Sequence, residues 1–124
     1  MPRTKPFRIL HAEDDEFFAK LCKNEFIEAG HIADHAANGL EALRMLHEEQ
    51  PDLLILDLIM PHKTGFDVLE EIRSSGRFHD LPIIILSNLA QPSDQEACRK
   101  LGVCEYFIKG ETSIKDIISY IDTM

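Results

Sequence analysis

No stretch of this chain approaches the roughly 20 consecutive apolar residues that a membrane-spanning helix needs, although 44% of its 124 residues are hydrophobic. That content suits one core, and the length leaves no room for a second folded module. Positive charge is scarce: 13 lysines and arginines stand against 22 acidic residues, a formal net charge of -9. Such a balance disfavours nonspecific binding to nucleic acid and to anionic membrane surfaces. Cysteine is sparse as well. Cys22, Cys98 and Cys104 show no paired metal-ligand spacing, and an odd number closes no disulfide framework. They are expected as buried thiols in a reducing cytosol. The six histidines are scattered, with no H-E-x-x-H pair, and His62 alone falls near the segment singled out below. There is no G-x-G-x-x-G or Walker-type loop, no internal repeat and no linker. The first six residues, Met1-Pro2-Arg3-Thr4-Lys5-Pro6, lack an apolar h-region and a small-residue cleavage site, so they are expected as a short extension and not a signal peptide. The chain reads as one cytoplasmic unit, residues 1–124.

What is present alternates. Residues 7–12 read as a strand, and 15–29 as an amphipathic helix carrying Phe18, Leu21, Cys22 and Phe26, closed by Gly30. Ile32 to Ala36 is a more polar strand, suited to a sheet edge. Asn38 with Glu41 opens a helix carrying Leu40, Leu43 and Leu46, which Gln50-Pro51 ends. Residues 52–56 make a third strand. Thr64 with Asp67 caps a helix presenting Phe66, Leu69 and Ile72, followed by a loop at Ser74-Ser75-Gly76-Arg77. Pro82 to Leu86 is a fully apolar strand, Ser93 with Glu96 is expected to cap a short helix, and 104–108 is the last strand. Ser113 with Asp116 starts a final helix with Ile114, Ile117, Ile118 and Ile121 at i, i+3, i+4, i+7. Five strands alternating with five helices predict a doubly wound α/β parallel sheet with right-handed crossovers. The two most apolar strands, third and fourth, belong inside and the second and fifth at the edges, in the order 2-1-3-4-5.

Asp57 directly follows the apolar run Leu53-Leu54-Ile55-Leu56. A run this short and apolar is a strand buried on both faces, and its C-terminal end lies where open α/β sheets hold their ligands. The other strand ends on that rim carry Glu13, Asp14 and Asp15, then Ser87, then Lys109. Gathered carboxylates raise one another's pKa values and suit a hard divalent cation such as Mg²⁺. Lysine and serine add donors for a phosphoryl oxygen. A carboxylate nucleophile beside such groups suits phosphoryl transfer to an aspartate. Asp15 is expected to serve as a helix N-terminal acid and not as a metal ligand.

At these spacings the chain resembles the receiver domain of two-component response regulators over nearly its whole length. The resemblance rests on Glu13-Asp14, the segment from Asp57 to Met60-Pro61, Gly65, Ser87, and Tyr106-Phe107-Ile108-Lys109. It implies a flavodoxin-like fold with Asp57 as phosphoacceptor. It further implies Mg²⁺ held by Asp14, Asp57 and the backbone carbonyl of Ile59, with Glu13 acting through water. Lys109 and Ser87 would contact the phosphoryl group, and Ser87 with Tyr106 would switch a protein-binding face made by the fourth helix, fifth strand and fifth helix. The implied partners are a sensor histidine kinase or phosphotransfer protein and a downstream protein, with no nucleic acid or membrane and no metabolic activity. A stand-alone, chemotaxis-regulator-like receiver is the expected form.

Two departures stand out. The family usually has proline after the lysine, where this chain has Gly110, so the last loop should be looser and the lysine less preorganised. Asn88 replaces a small residue and should narrow the site. Ile59 and Leu89 are both apolar and should shield an aspartyl phosphate from water. A degenerate receiver that binds partners without phosphorylation is the alternative. A haloacid-dehalogenase-type phosphatase would need a second acid at position 59, and a flavin carrier would need a Ser/Thr/Gly-rich cradle where Glu13-Asp14-Asp15 stand.

Overall fold

A computed structural model describes residues 6–124, so all of the expected N-terminal extension except Pro6 lies outside the described residues. Five parallel strands, β1 (Arg8–Ala12), β2 (Ile32–Ala36), β3 (Leu53–Leu56), β4 (Ile83–Ser87) and β5 (Glu105–Ile108), form one sheet in the order β2-β1-β3-β4-β5. Between and after them run α1 (Glu16–Glu28), α2 (Gly39–Glu48), α3 (Gly65–Ser75), α4 (Pro92–Lys100) and α5 (Ile114–Asp122), with a 3₁₀ turn at Lys109–Glu111. This is the flavodoxin-like arrangement expected from the alternation.

Strand alternation divides the core in two. Leu10, Ala12, Leu54, Leu56, Ile83 and Ile85 pack with Leu43 and Leu46 of α2 and Leu69 and Ile72 of α3. Ile9, Ala33, Leu53, Ile55, Ile84 and Leu86 face the other way, onto Cys22 and Phe26 of α1 and Ile117 and Ile121 of α5. β3 and β4 are buried along their whole length, whereas β2 and β5 are partly exposed edges.

Capping follows the local chemistry in most places. The Asn38 side chain accepts from the Glu41 N–H, and Thr64–Asp67 and Ser113–Asp116 form reciprocal capping boxes. Gly30, at φ +94, takes the left-handed turn after α1.

Five expectations need correction. α4 is not capped by Ser93: Pro92 occupies the first turn after Gln91, where its fixed φ and missing N–H cost nothing. Ser74 and Ser75 still belong to α3, which ends at Gly76. Leu21 and Leu40 are exposed, since the buried stripes are Ala19, Cys22 and Phe26 on α1 and Gly39, Ala42, Leu43 and Leu46 on α2. Cys104 is also exposed, at the outer end of an edge strand, while Cys22 and Cys98 are buried.

Arg73, in the last turn of α3, ties the far end of α4 to this framework. Its Nε donates to the Leu101 carbonyl at 2.7 Å, and its terminal nitrogens donate to the carbonyls of Phe78 at 3.2 Å, Gly102 at 3.1 Å and Leu81 at 3.4 Å. No helix among the described residues is long and apolar enough to cross a membrane.

Candidate functional site

The register of the sheet brings the C-terminal ends of β1, β3, β4 and β5 side by side, with Ala12 opposite Leu56, Leu56 opposite Ile85, and Ile85 opposite Tyr106. The residues just beyond these strands therefore meet on one rim. The backbone fixes the first of them before any side chain acts: the Glu13 N–H donates to the Ala36 carbonyl at 2.9 Å, and the Asp57 N–H to the Ala12 carbonyl at 3.1 Å.

Carboxylate oxygens of Glu13, Asp14 and Asp57 lie within 4.8 Å of one another. Glu13 and Asp57 are buried and Asp14 is exposed, so the cluster has two inner acids and one at the mouth. Lys109 reaches both inner acids, with Nζ 2.5 Å from Glu13 Oε1 and 3.0 Å from Asp57 Oδ2. The second oxygen of Asp57, Oδ1, accepts from the Ile59 N–H at 3.2 Å. Glu13 Oε2 accepts from the Asp15 N–H at 3.1 Å.

Electrostatics follow from this crowding. Burial pushes the Glu13 carboxyl up to about 7, with the Asp57 charge adding to it and the hydrogen bonds from Lys109 and Asp15 pulling the other way. Burial also works against the Lys109 charge, but its hydrogen bonds to Glu13 and Asp57 prevail and hold its pKa above the usual lysine value. A lysine facing two acids still leaves the three-carboxylate cluster with negative charge in excess. Its donors are all oxygens, the set that suits a hard cation such as Mg²⁺.

The cleft above these groups has a volume of about 250 Å³ and is lined by Glu13, Asp14, Asp15, Asp57, Ile59, Asn88 and Lys109. A water's share of liquid volume is roughly 30 Å³, so the cleft accommodates a small anion with a hydrated cation. Asn88 lines it as expected. Asp15 lines it too, but its Oδ1 accepts from the Phe18 N–H at 3.1 Å as the cap of α1, the role expected for it.

Ser87 is buried at the end of β4, and its hydroxyl accepts from the Leu89 N–H at 3.4 Å; it does not line the cleft. Tyr106 is half-buried, with its hydroxyl donating to the Leu89 carbonyl at 2.7 Å. Leu89 is thereby held at both ends of its peptide and packs against the core. Only Ile59 of the two expected shielding residues lines the cleft, and it is 54% exposed. His62 is exposed at φ +69, the left-handed region, and belongs to no metal-binding cluster among the described residues.

Two further residues near the site have surroundings that the sequence does not reveal. Gly65 abuts the backbone of the site: a Cβ there would clash with the Asp57 carbonyl oxygen and come within 2.6 Å of the Leu58 Cα. The sequence marks Gly65 as a motif residue but gives no sign of this close approach. The other is His11 of β1, buried with neither ring nitrogen partnered; burial, then the charges of His35 and Lys109, push its pKa down to about 3. A lone histidine in an apolar strand was the available signal.

Comparison with known proteins agrees with this geometry. Residues 9–122 match the family described as response regulator receiver domain. The polar-differentiation response regulator DivK of Brucella anthropi is 29% identical over 94% of this chain and 94% of its own length. The probable transcriptional regulator ycf27 of Guillardia theta is 33% identical over 82% of this chain, which spans only 39% of that relative. The receiver domain of the Francisella response regulator 1452 superposes with a TM-score of 0.87 at 29% identity, covering 94% of both chains. The chemotaxis protein CheY4 of Vibrio cholerae has the same fold, with a TM-score of 0.86 at 21% identity, over 95% of this chain and 98% of that one.

Proposed function

Because the chain belongs to the response regulator receiver family, we propose that Asp57 accepts a phosphoryl group from a phosphohistidine on a sensor kinase or phosphotransfer protein, and that this switches a protein-binding face. The observation that carries the reading is the Lys109 ammonium set between Glu13 and Asp57, with Asp14 at the mouth of the same cleft.

In the transfer, an Asp57 carboxylate oxygen attacks phosphorus in line, and an O–P bond forms as the N–P bond to the donor imidazole breaks. The imidazole leaves with the bonding electron pair. Lys109 then pairs with phosphoryl oxygens where it now pairs with Asp57. Asp14, Asp57 and the backbone carbonyl of Ile59 would hold Mg²⁺, with Glu13 reaching it through water. Bound there, the cation supplies charge that offsets a phosphoryl group among acids.

The Ser87 hydroxyl would leave the Leu89 N–H for the phosphoryl group, and Tyr106 would follow as the Leu89 carbonyl moves. Only contacts that differ between the two arrangements can favour one of them. The face made by α4, β5 and α5 is the proposed output surface for a downstream protein. The reading places the chain in the cytoplasm as a single receiver unit over residues 1–124 and assigns it no metabolic reaction, nucleic acid or membrane. Its test is incubation with acetyl phosphate and Mg²⁺ followed by mass spectrometry. Wild type should gain one phosphoryl group and Asp57→Asn none; a wild type that gains none, from acetyl phosphate or from a kinase, refutes it.

A further inference from the structure

Gly110 follows Lys109 in the 3₁₀ turn Lys109–Glu111 and has no side chain to pack beside the lysine. A side chain built on Gly110 would meet nothing within 4 Å. The lysine side chain is nevertheless only 15% exposed. Glu13 and Asp57 account for part of that cover. The ring of Phe18 supplies more, its centroid 5.0 Å from Lys109 Nζ.

Phe18 is itself well fixed. Its N–H is bound by Asp15, the cap of α1, at 3.1 Å. Its half-buried ring packs against the core cluster beneath α1 and meets the buried His11 edge-on, with centroids 6.2 Å apart and planes at 74°. Asp15 also donates its own N–H to Glu13, so one turn of backbone aims both the ring and an acid at the same ammonium.

The face of an aromatic ring attracts a cation, and does so more strongly where water is partly excluded. Lysine hangs on a four-carbon flexible stem. Without a wall beside it, only the pairs with Glu13 and Asp57 would keep the ammonium from swinging toward solvent. We propose that Phe18 is a positioning residue for Lys109: its ring face holds the ammonium over Asp57. The inference rests on the reading of Asp57 as the phosphoacceptor.

The test compares Phe18→Leu, which keeps an apolar side chain without a ring face, with Phe18→Tyr, which keeps the ring. The phosphorylation rate at saturating acetyl phosphate should fall about three- to tenfold in the leucine variant, with melting temperature and Mg²⁺ affinity near wild type, and the tyrosine variant should match wild type. A leucine variant at the wild-type rate, or a tyrosine variant as slow as leucine, overturns the inference. In NMR spectra the Lys109 Hε signals should be shifted upfield by the ring in wild type and not in Phe18→Leu; unshifted signals in wild type overturn it as well. A wild type that takes no phosphoryl group at all defeats the reading of Asp57 instead, and the NMR comparison still decides whether the ring holds the lysine.

Discussion

Gly65 begins α3 so close to Asp57 that a side chain on it would overlap the Asp57 carbonyl oxygen, with the Gly65 N–H donating to the Leu58 carbonyl at 3.0 Å. The helix start and the acid are one packed unit. Backbone atoms cannot move aside as a flexible side chain does, so Gly65→Ala should cost about 1–3 kcal/mol and shift the Asp57 backbone. A lowered denaturation midpoint together with slower phosphorylation is the expected result; a variant normal in both would show that the loop relaxes freely.

Ile59 covers the mouth of the cleft with apolar surface, while Leu89 has been drawn away by Ser87 and Tyr106. On the proposed role of Asp57 as phosphoacceptor, shielding of an aspartyl phosphate would thus fall to Ile59. Ile59→Asn should shorten the phosphate lifetime, whereas Leu89→Asn should alter it mainly through lost packing. Decay of the phosphorylated species, followed by mass spectrometry, separates the two.

Glu13 makes metal-free stability depend on pH. Folding raises its pKa from 4.5 to about 7, so the folded chain keeps a proton that the unfolded chain releases. This contribution is full below about pH 4.5 and is lost as pH rises to about 7. Urea midpoints between pH 4 and pH 8 should therefore decline less in Glu13→Gln than in wild type. Equal slopes would count against the buried, protonated Glu13.

His11 acts in the opposite sense. Its folded pKa lies well below its ordinary value of 6.5, so the unfolded chain takes up the proton first and stability is lost as pH falls below about 6.5. His11→Leu should remove that acid sensitivity. It should also stabilise the neutral-pH protein by about 1 kcal/mol, because two unpartnered ring nitrogens are removed. Thermal melts at pH 5 and pH 7.5 check both.

Arg73 satisfies carbonyls at the end of α4 and in the segment before β4 through a rigid fork of donors. Lysine has no such fork. Arg73→Lys should cost about 2–3 kcal/mol by chemical denaturation, and hydrogen exchange should quicken in α4 before it does in β3. Uniform quickening would argue that Arg73 supports the whole fold and not this corner.

How much of this was legible depends on how local the cause was. β3 and β4 stand out because nothing polar interrupts them, and the caps at Asn38, Thr64 and Ser113 because both partners sit within one turn. The cap expected at Ser93 failed because Pro92 beside it is a better first-turn residue. Leu21 and Leu40 follow the helical period closely enough to suggest burial, yet each lies just beside its buried stripe. The acids and Lys109 were placed on one rim by the fold class alone, and the register then set them in contact. What stayed hidden needed distant pairs: Phe18 against Lys109, and the Tyr106 hydroxyl on Leu89.

Lys109 and Asp57 are joined across 52 positions of sequence, and Glu13 comes from yet another strand. An unfolded chain scatters these three charges and offers no such grip. A cation held by the acids after β1 and β3, together with an anion paired to it and to Lys109, thus acts as a clasp on β1, β3 and β5 at once, and mass action then favours the folded form. Occupancy at the rim should register as added cohesion throughout the sheet, including strands the ligand never touches.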